Sequence, residues 1–102
     1  MQSVHIDDAT HPLVLTLDVG TSAVRLLCFD ARARCIDGIE ARRTLDVTTT
    51  SHGGAEIDME TLFDQCVAVV DDILSQLGSA CQAVTAIGMA TMTTTMVGIA
   101  AE

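Results

Sequence analysis

Two apolar runs, Leu13-Val14-Leu15-Thr16-Leu17 and Val24 to Phe29, flank the segment Asp18-Val19-Gly20-Thr21-Ser22. Short apolar runs separated by glycine and hydroxyl residues form a strand, a tight turn and a returning strand. Gly20 is expected to give the turn a backbone conformation that a side chain would resist. Thr21 and Ser22 bring hydroxyls and free N–H groups to the bend, and such a bend can cradle phosphate oxygens. Asp18, at the end of the first strand, suits Mg²⁺, which favours oxygen ligands and keeps some of its waters. Arg25 carries a permanent positive charge suited to a phosphate. An ordinary hairpin with a capped turn explains the same residues, and the bare pattern leaves both readings open.

The remaining pattern extends this hairpin. Asp30 to Arg34 reads as a turn and Cys35 to Arg43 as a third strand, with Gly38 as a bulge. Short connections of this kind make an antiparallel meander. Thr44 to Ile57 is a polar connection rich in threonine and glycine, a loop whose start is open to strand. A helix then follows from Asp58 to Leu77. Asp58 is its N-cap and Glu60 adds negative charge to its first turn. Leu62, Phe63, Cys66, Val67, Val70, Ile73, Leu74 and Leu77 recur at helical spacing, and Gly78 stands where a C-terminal glycine belongs. Val84 to Met89 reads as a buried strand. A right-handed crossover through the helix sets it parallel to the first strand. The expected fold is therefore α/β, with strand order 3-2-1-4, one helix on one face, and a further strand over residues 95–100.

Composition narrows the function. A chain of 102 residues forms one domain at most, and its 49% hydrophobic content marks it as globular. Phe29 and Phe63 are its only aromatic residues, so the core must be aliphatic. A net charge of −9, with five arginines and no lysine, argues against a nucleic-acid backbone or an anionic membrane surface as partner. Residues 1–12 are polar and acidic, read as a flexible tail without a signal-peptide pattern, and leave 13–102 as the folded part. His5 and His11 are expected to be solvated. Ala83 to Ala101 carries no charge, but its threonines and glycines fit two buried strands joined by a turn better than a membrane span. Cys28, Cys35, Cys66 and Cys81 form no C-x-x-C pair. They read as free thiols of a cytoplasmic protein, not as zinc ligands.

Three stretches carry a resemblance. Asp18, Gly20, Thr21, Ser22, Arg25 and Asp30 together resemble the first phosphate motif of the FGGY carbohydrate kinases, relatives of actin, hexokinase and the ATP-driven chaperones. Gly53-Gly54-Ala55-Glu56-Ile57-Asp58 is similar to that family's G-W-x-E-Q-D segment, with Gly54 in place of Trp and Ile57 in place of Gln. Ala86-Ile87-Gly88-Met89 followed by Val97-Gly98-Ile99 looks like its A-I-G-I-S…V-G-I-D run. The resemblance spans Leu13 to Ile99 and implies an incomplete ribonuclease-H-like (actin-like ATPase) domain, the N-terminal portion of an FGGY kinase.

By the same resemblance, ATP and Mg²⁺ are the implied cofactors, and the reaction is transfer of the γ-phosphate to a sugar or polyol hydroxyl. Asp18 is then the metal residue, Gly20, Thr21, Ser22 and Arg25 bind phosphate, and Thr93 and Thr94 occupy the position of sugar contacts. The family's Gln-Arg-Glu or Gln…His residues near that point are replaced by Met92, Thr93 and Thr94. Its Asp after V-G-I is Ala100, which leaves the sugar open. The catalytic Asp of the family lies beyond the position of Glu102. The chain alone is therefore expected to be inactive, and to self-associate through its last strands or its uncovered sheet face. Two other readings stand beside this one: a non-catalytic α/β interaction module, or part of another actin-like ATPase. Among the latter, the chaperones usually lack an Arg at the position of Arg25.

Overall fold

The structure, a computed structural model, describes residues 2–91 and 97–100. In chain order its elements are β1 (Ser3–Val4), β2 (Leu13–Val19), β3 (Ala23–Phe29), β4 (Cys35–Thr44), a small hairpin of β5 (Thr48–Thr49) and β6 (Ala55–Glu56), α1 (Met59–Leu77) and β7 (Val84–Thr91). The five-stranded sheet has the order β1-β4-β3-β2-β7. β2, β3 and β4 are an antiparallel meander, and β7 returns parallel to β2 after the helix. The four longer strands thus stand as the short connections and the single crossover require. The β3–β4 register shifts between Leu27 and Phe29, opposite the part of β4 that holds Gly38 at φ +73°. The bulge therefore falls where the glycine placed it.

The period-2 alternation of β2 and β3 builds the core. Leu13, Leu15, Leu17 and Val19 are buried on one face of β2, and Val24, Leu26 and Cys28 continue that face on β3. α1 packs across β4 and β3. It contributes the buried residues Val69, Ile73 and Leu77, flanked by half-buried Leu62, Cys66 and Val70. The helix begins where Asp58 accepts hydrogen bonds from the Thr61 N–H (3.0 Å) and hydroxyl (2.7 Å). It ends at Gly78, φ +58°, whose N–H donates to the Leu74 carbonyl. Polar contacts fix its position on the sheet. Gln76 accepts from the Glu40 N–H (3.1 Å) and donates to the Glu40 carbonyl (2.8 Å), and Arg43 pairs with Asp72.

Four expectations need correction. Residues 3–9 are docked, not a free tail: β1 pairs parallel with β4, Val4 is buried, and His5 Nδ1 accepts from the Asp7 N–H. The polar connection after β4 contains the β5–β6 hairpin, closed by Thr50 and Gly54. β7 is not buried. Ile87 and Met89 are 51% and 67% exposed, because α1 lies over β3 and β4 and does not reach them. The expected strand over 95–100 is not seen among its described residues, since Val97 to Ala100 have no strand structure.

The apolar stripe of α1 is also narrower than its sequence spacing. Phe63 (66% exposed), Val67 and Leu74 face away from the core, while Val69, which the spacing omitted, is fully buried. Replacing Ile73, also fully buried, by Ala should cost about 3 kcal/mol of unfolding free energy. Phe63→Ala should cost about 0.5 kcal/mol or less. Urea denaturation of the two variants checks this, and a comparable loss from Phe63→Ala would mean that the other helix face is packed.

Candidate functional site

The alternation that buries one face of β2 aims the rest of it at the other. Asp18 is exposed, and its cross-strand partner on β3 is Arg25. Directly opposed residues in an antiparallel pair share a face, so both stand on the side of the sheet away from α1. Gly20 to Ser22 form the bend between them. Its backbone is closed by Gly20 N–H to the Ala23 carbonyl (2.9 Å) and held to the end of β4 by Leu45 N–H to the Ser22 carbonyl (2.8 Å). The amides of Thr21 and Ser22 have no backbone partner among the described residues, and both residues are exposed.

On the other side of β2, the parallel register sets Thr16 beside Gly88 and Asp18 beside Ala90. The result is an open cleft of about 390 Å³ lined by Thr16, Asp18, Arg25, Leu27, Gly88 and Ala90. That volume lies in the range of small-molecule sites. A Cβ at Gly88 would meet nothing within 4 Å, so a side chain there would occupy the cleft instead of packing against the protein. Thr16 and Gly88 are not site residues on the sequence reading, and Ala90 enters it only as the first residue of the stretch between the A-I-G and V-G-I runs. The signal was available in part: Thr16 is two residues before Asp18 on the same strand face, whereas Gly88 and Ala90 depend on the β2–β7 register.

Two sequence readings of the motif change. Gly20 does not have a positive φ, and a Cβ there would be 3.4 Å from the Ala23 carbonyl, an ordinary contact. The turn itself therefore does not require glycine. Asp30 belongs to another structure altogether. It lies past the end of β3 that is remote from the turn, and it is 3% exposed. Its carboxylate accepts from the Arg34 guanidinium (2.8 and 3.1 Å) and from the backbone N–H groups of Thr10, Arg32 and Arg34 (each 3.0 Å). This knot ties the N-terminal segment to the β3–β4 turn, where Ala33 is held at φ +61°. Thr93 and Thr94 lie outside the described residues.

Donor chemistry decides what the cleft can hold. Among the described residues, no group of three or more His, Cys, Asp or Glu side chains is placed to enclose a metal. Asp18 offers the cleft one carboxylate. A single carboxylate suits Mg²⁺, whose remaining positions are filled by water and phosphate oxygens. The unpaired amides of the bend and Arg25 suit the phosphate. The four cysteines are free, and burial, with Cys35 and Asp30 nearby, pushes the Cys28 thiol up to about 11. No described helix is long and apolar enough to cross a membrane.

A family model for the N-terminal domain of the FGGY family of carbohydrate kinases matches residues 13–101. The chain belongs to the FGGY carbohydrate kinase family. No curated protein matches it. Among solved structures, a xylulose kinase from Brucella ovis superposes with a TM-score of 0.71 at 26% identity, over 78% of this chain and 16% of that one. A xylulose kinase and a gluconate kinase from Lactobacillus acidophilus give TM-scores of 0.67 and 0.66, each at 20% identity over 78% of this chain and 15% of theirs. The FGGY domain described here thus spans about a sixth of the length of the kinases it resembles.

The Asp30 knot gives a pH prediction with a definite sign. The hydrogen bonds from the Arg34 side chain, then those from the backbone, hold its carboxyl well below the usual carboxylate range. A depressed folded pKa contributes stability that is present above the unfolded value, about 4. That stability is lost as pH falls from there toward the folded pKa. Asp30→Asn should therefore lower Tm by several degrees at pH 7 and flatten its fall between about pH 4.5 and pH 2. Thermal melts across that range check it; an unchanged Tm at pH 7 with a parallel acid limb would contradict it.

Proposed function

We propose that this chain forms the first phosphate-binding loop of an ATP-dependent carbohydrate kinase with a ribonuclease-H-like domain. The observation that carries the reading is the Asp18–Arg25 cross-strand pair, which sets a carboxylate and a guanidinium between a bend with unpaired amides and an open cleft. ATP supplies the γ-phosphoryl group, and Mg²⁺ neutralises part of the phosphate charge. The amides and hydroxyls of Thr21 and Ser22 bind and orient phosphate oxygens. Gly20 lets the phosphate approach the backbone closely, a role left to it because the turn does not demand glycine. Arg25 offsets negative charge, and Asp18 holds the metal in position.

The acceptor is a sugar or polyol hydroxyl, with Thr93 and Thr94 as contacts. The base that takes its proton is assigned to sequence outside these 102 residues, in keeping with the length of the kinases of similar structure. Four free thiols support a reducing compartment, the cytoplasm. The uncharged, exposed β7 edge supports association of the chain with itself when nothing else covers it.

Phosphoryl transfer depends on positioning and charge neutralisation, so loss of the Asp18 carboxylate should act on turnover. In the longer kinase, Asp18→Asn should lower kcat by roughly 100-fold and leave sugar affinity within about threefold, while the 102-residue chain alone should release no ADP on any sugar. Steady-state kinetics and a coupled ADP assay measure both. An unchanged kcat in Asp18→Asn would remove Asp18 from the site.

A further inference from the structure

The chain has 14 acidic residues and five arginines, so carboxylates are available in excess to neutralise every arginine. Arg34 is paired with Asp30 and Arg43 with Asp72. Among the described residues Arg25, Arg32 and Arg42 have no carboxylate partner, and of these Arg25 and Arg42 stand side by side. They are direct cross-strand partners in the β3–β4 ladder, and both are exposed. Their neighbours Val24, Leu26 and Ala41 are buried on the helix side, so both guanidinium stems rise from the opposite, open face. Directly opposed residues have Cβ atoms about 5 Å apart, and like charges so placed destabilise a ladder. Among the described residues, neither guanidinium has a carboxylate within 4 Å.

This arginine pair is continuous with the site. One row across the open face reads Ala90, Asp18, Arg25, Arg42, taken from β7, β2, β3 and β4. The cleft occupies the β7 and β2 end, and Arg25 lies on its wall. Arg42 is the next residue outward. An anion seated between two guanidinium groups removes their repulsion and gains hydrogen bonds from both.

We propose that Arg42 is a second phosphate-binding residue, clamping one phosphate group of the nucleotide together with Arg25 at the margin of the cleft. The proposal rests on the phosphate-loop reading above and extends it to a strand that the loop motif does not include. Glu40 is the competing partner for Arg42. It lies two residues earlier on the same strand, opposite Leu27.

The test is calorimetric titration of the 102-residue chain with sodium tripolyphosphate at low salt, without magnesium. Arg25→Gln and Arg42→Gln should each weaken binding about tenfold, and Arg42→Lys should stay within about threefold of the parent chain. Each Gln variant should also lower the salt dependence of binding by about one charge. Circular dichroism establishes that the variants are folded. If Arg25→Gln weakens binding and a folded Arg42→Gln does not, Arg42 serves Glu40 or solvent and the inference is overturned while the phosphate loop stands. If the parent chain itself binds no tripolyphosphate, both the loop reading and the inference fall.

Discussion

The alternation along β2 is the constraint on which the rest of the molecule depends. A strand side chain can face only one side of the sheet. Burying Leu13, Leu15, Leu17 and Val19 under the core therefore obliges Thr16 and Asp18 to face the open side. A slip of one residue would put the carboxylate into the aliphatic core and the leucines into water. Burial of a Leu or Val side chain stabilises by about 1.5–3 kcal/mol, so these three leucines and one valine fix the register firmly. The site inherits its precision from that register: β3 supplies Arg25 opposite Asp18, and β7 supplies the floor at Gly88 and Ala90.

α1 secures this arrangement from one side only. Its apolar contacts are few, and its hold on β4 is partly polar, through Gln76 on the Glu40 backbone and Arg43 on Asp72. Those contacts seat the helix over β3 and β4. They leave Ile87 and Met89 of β7 exposed on the helix side, and no described element packs on the opposite face. The offset of α1 exposes apolar surface on the edge strand, a feature that favours contact with further protein.

Much of this was legible in the sequence where local chemistry decides structure. The Asp58 cap, the Gly78 stop and the Gly38 bulge each rest on a residue with a strong local preference, and the Asp18 to Ser22 turn on the two apolar runs that flank it. The residues that escaped are those whose role depends on distant partners. Two residues, Ser3–Val4, are too short a run to signal a strand without sight of β4. The exposure of β7 depends on where the helix comes to rest, which the uncharged composition of Val84 to Met89 does not encode. Asp30 lies within the motif in sequence but binds Thr10 and Arg34 at the other end of its strand. Conversely, Gly88 reached the site only through parallel pairing across a long crossover.

The account stands or falls on where a nucleotide's phosphates settle. A titration of the ¹⁵N-labelled chain with Mg·ATP, followed by amide chemical shifts, locates them directly. The account predicts the largest changes at Gly20, Thr21 and Ser22, with smaller ones at Gly88 across the cleft, and none at Gly78 or along the exposed face of α1. Changes centred on α1, or an unperturbed Gly20 to Ser22 bend at saturating Mg·ATP, would contradict it.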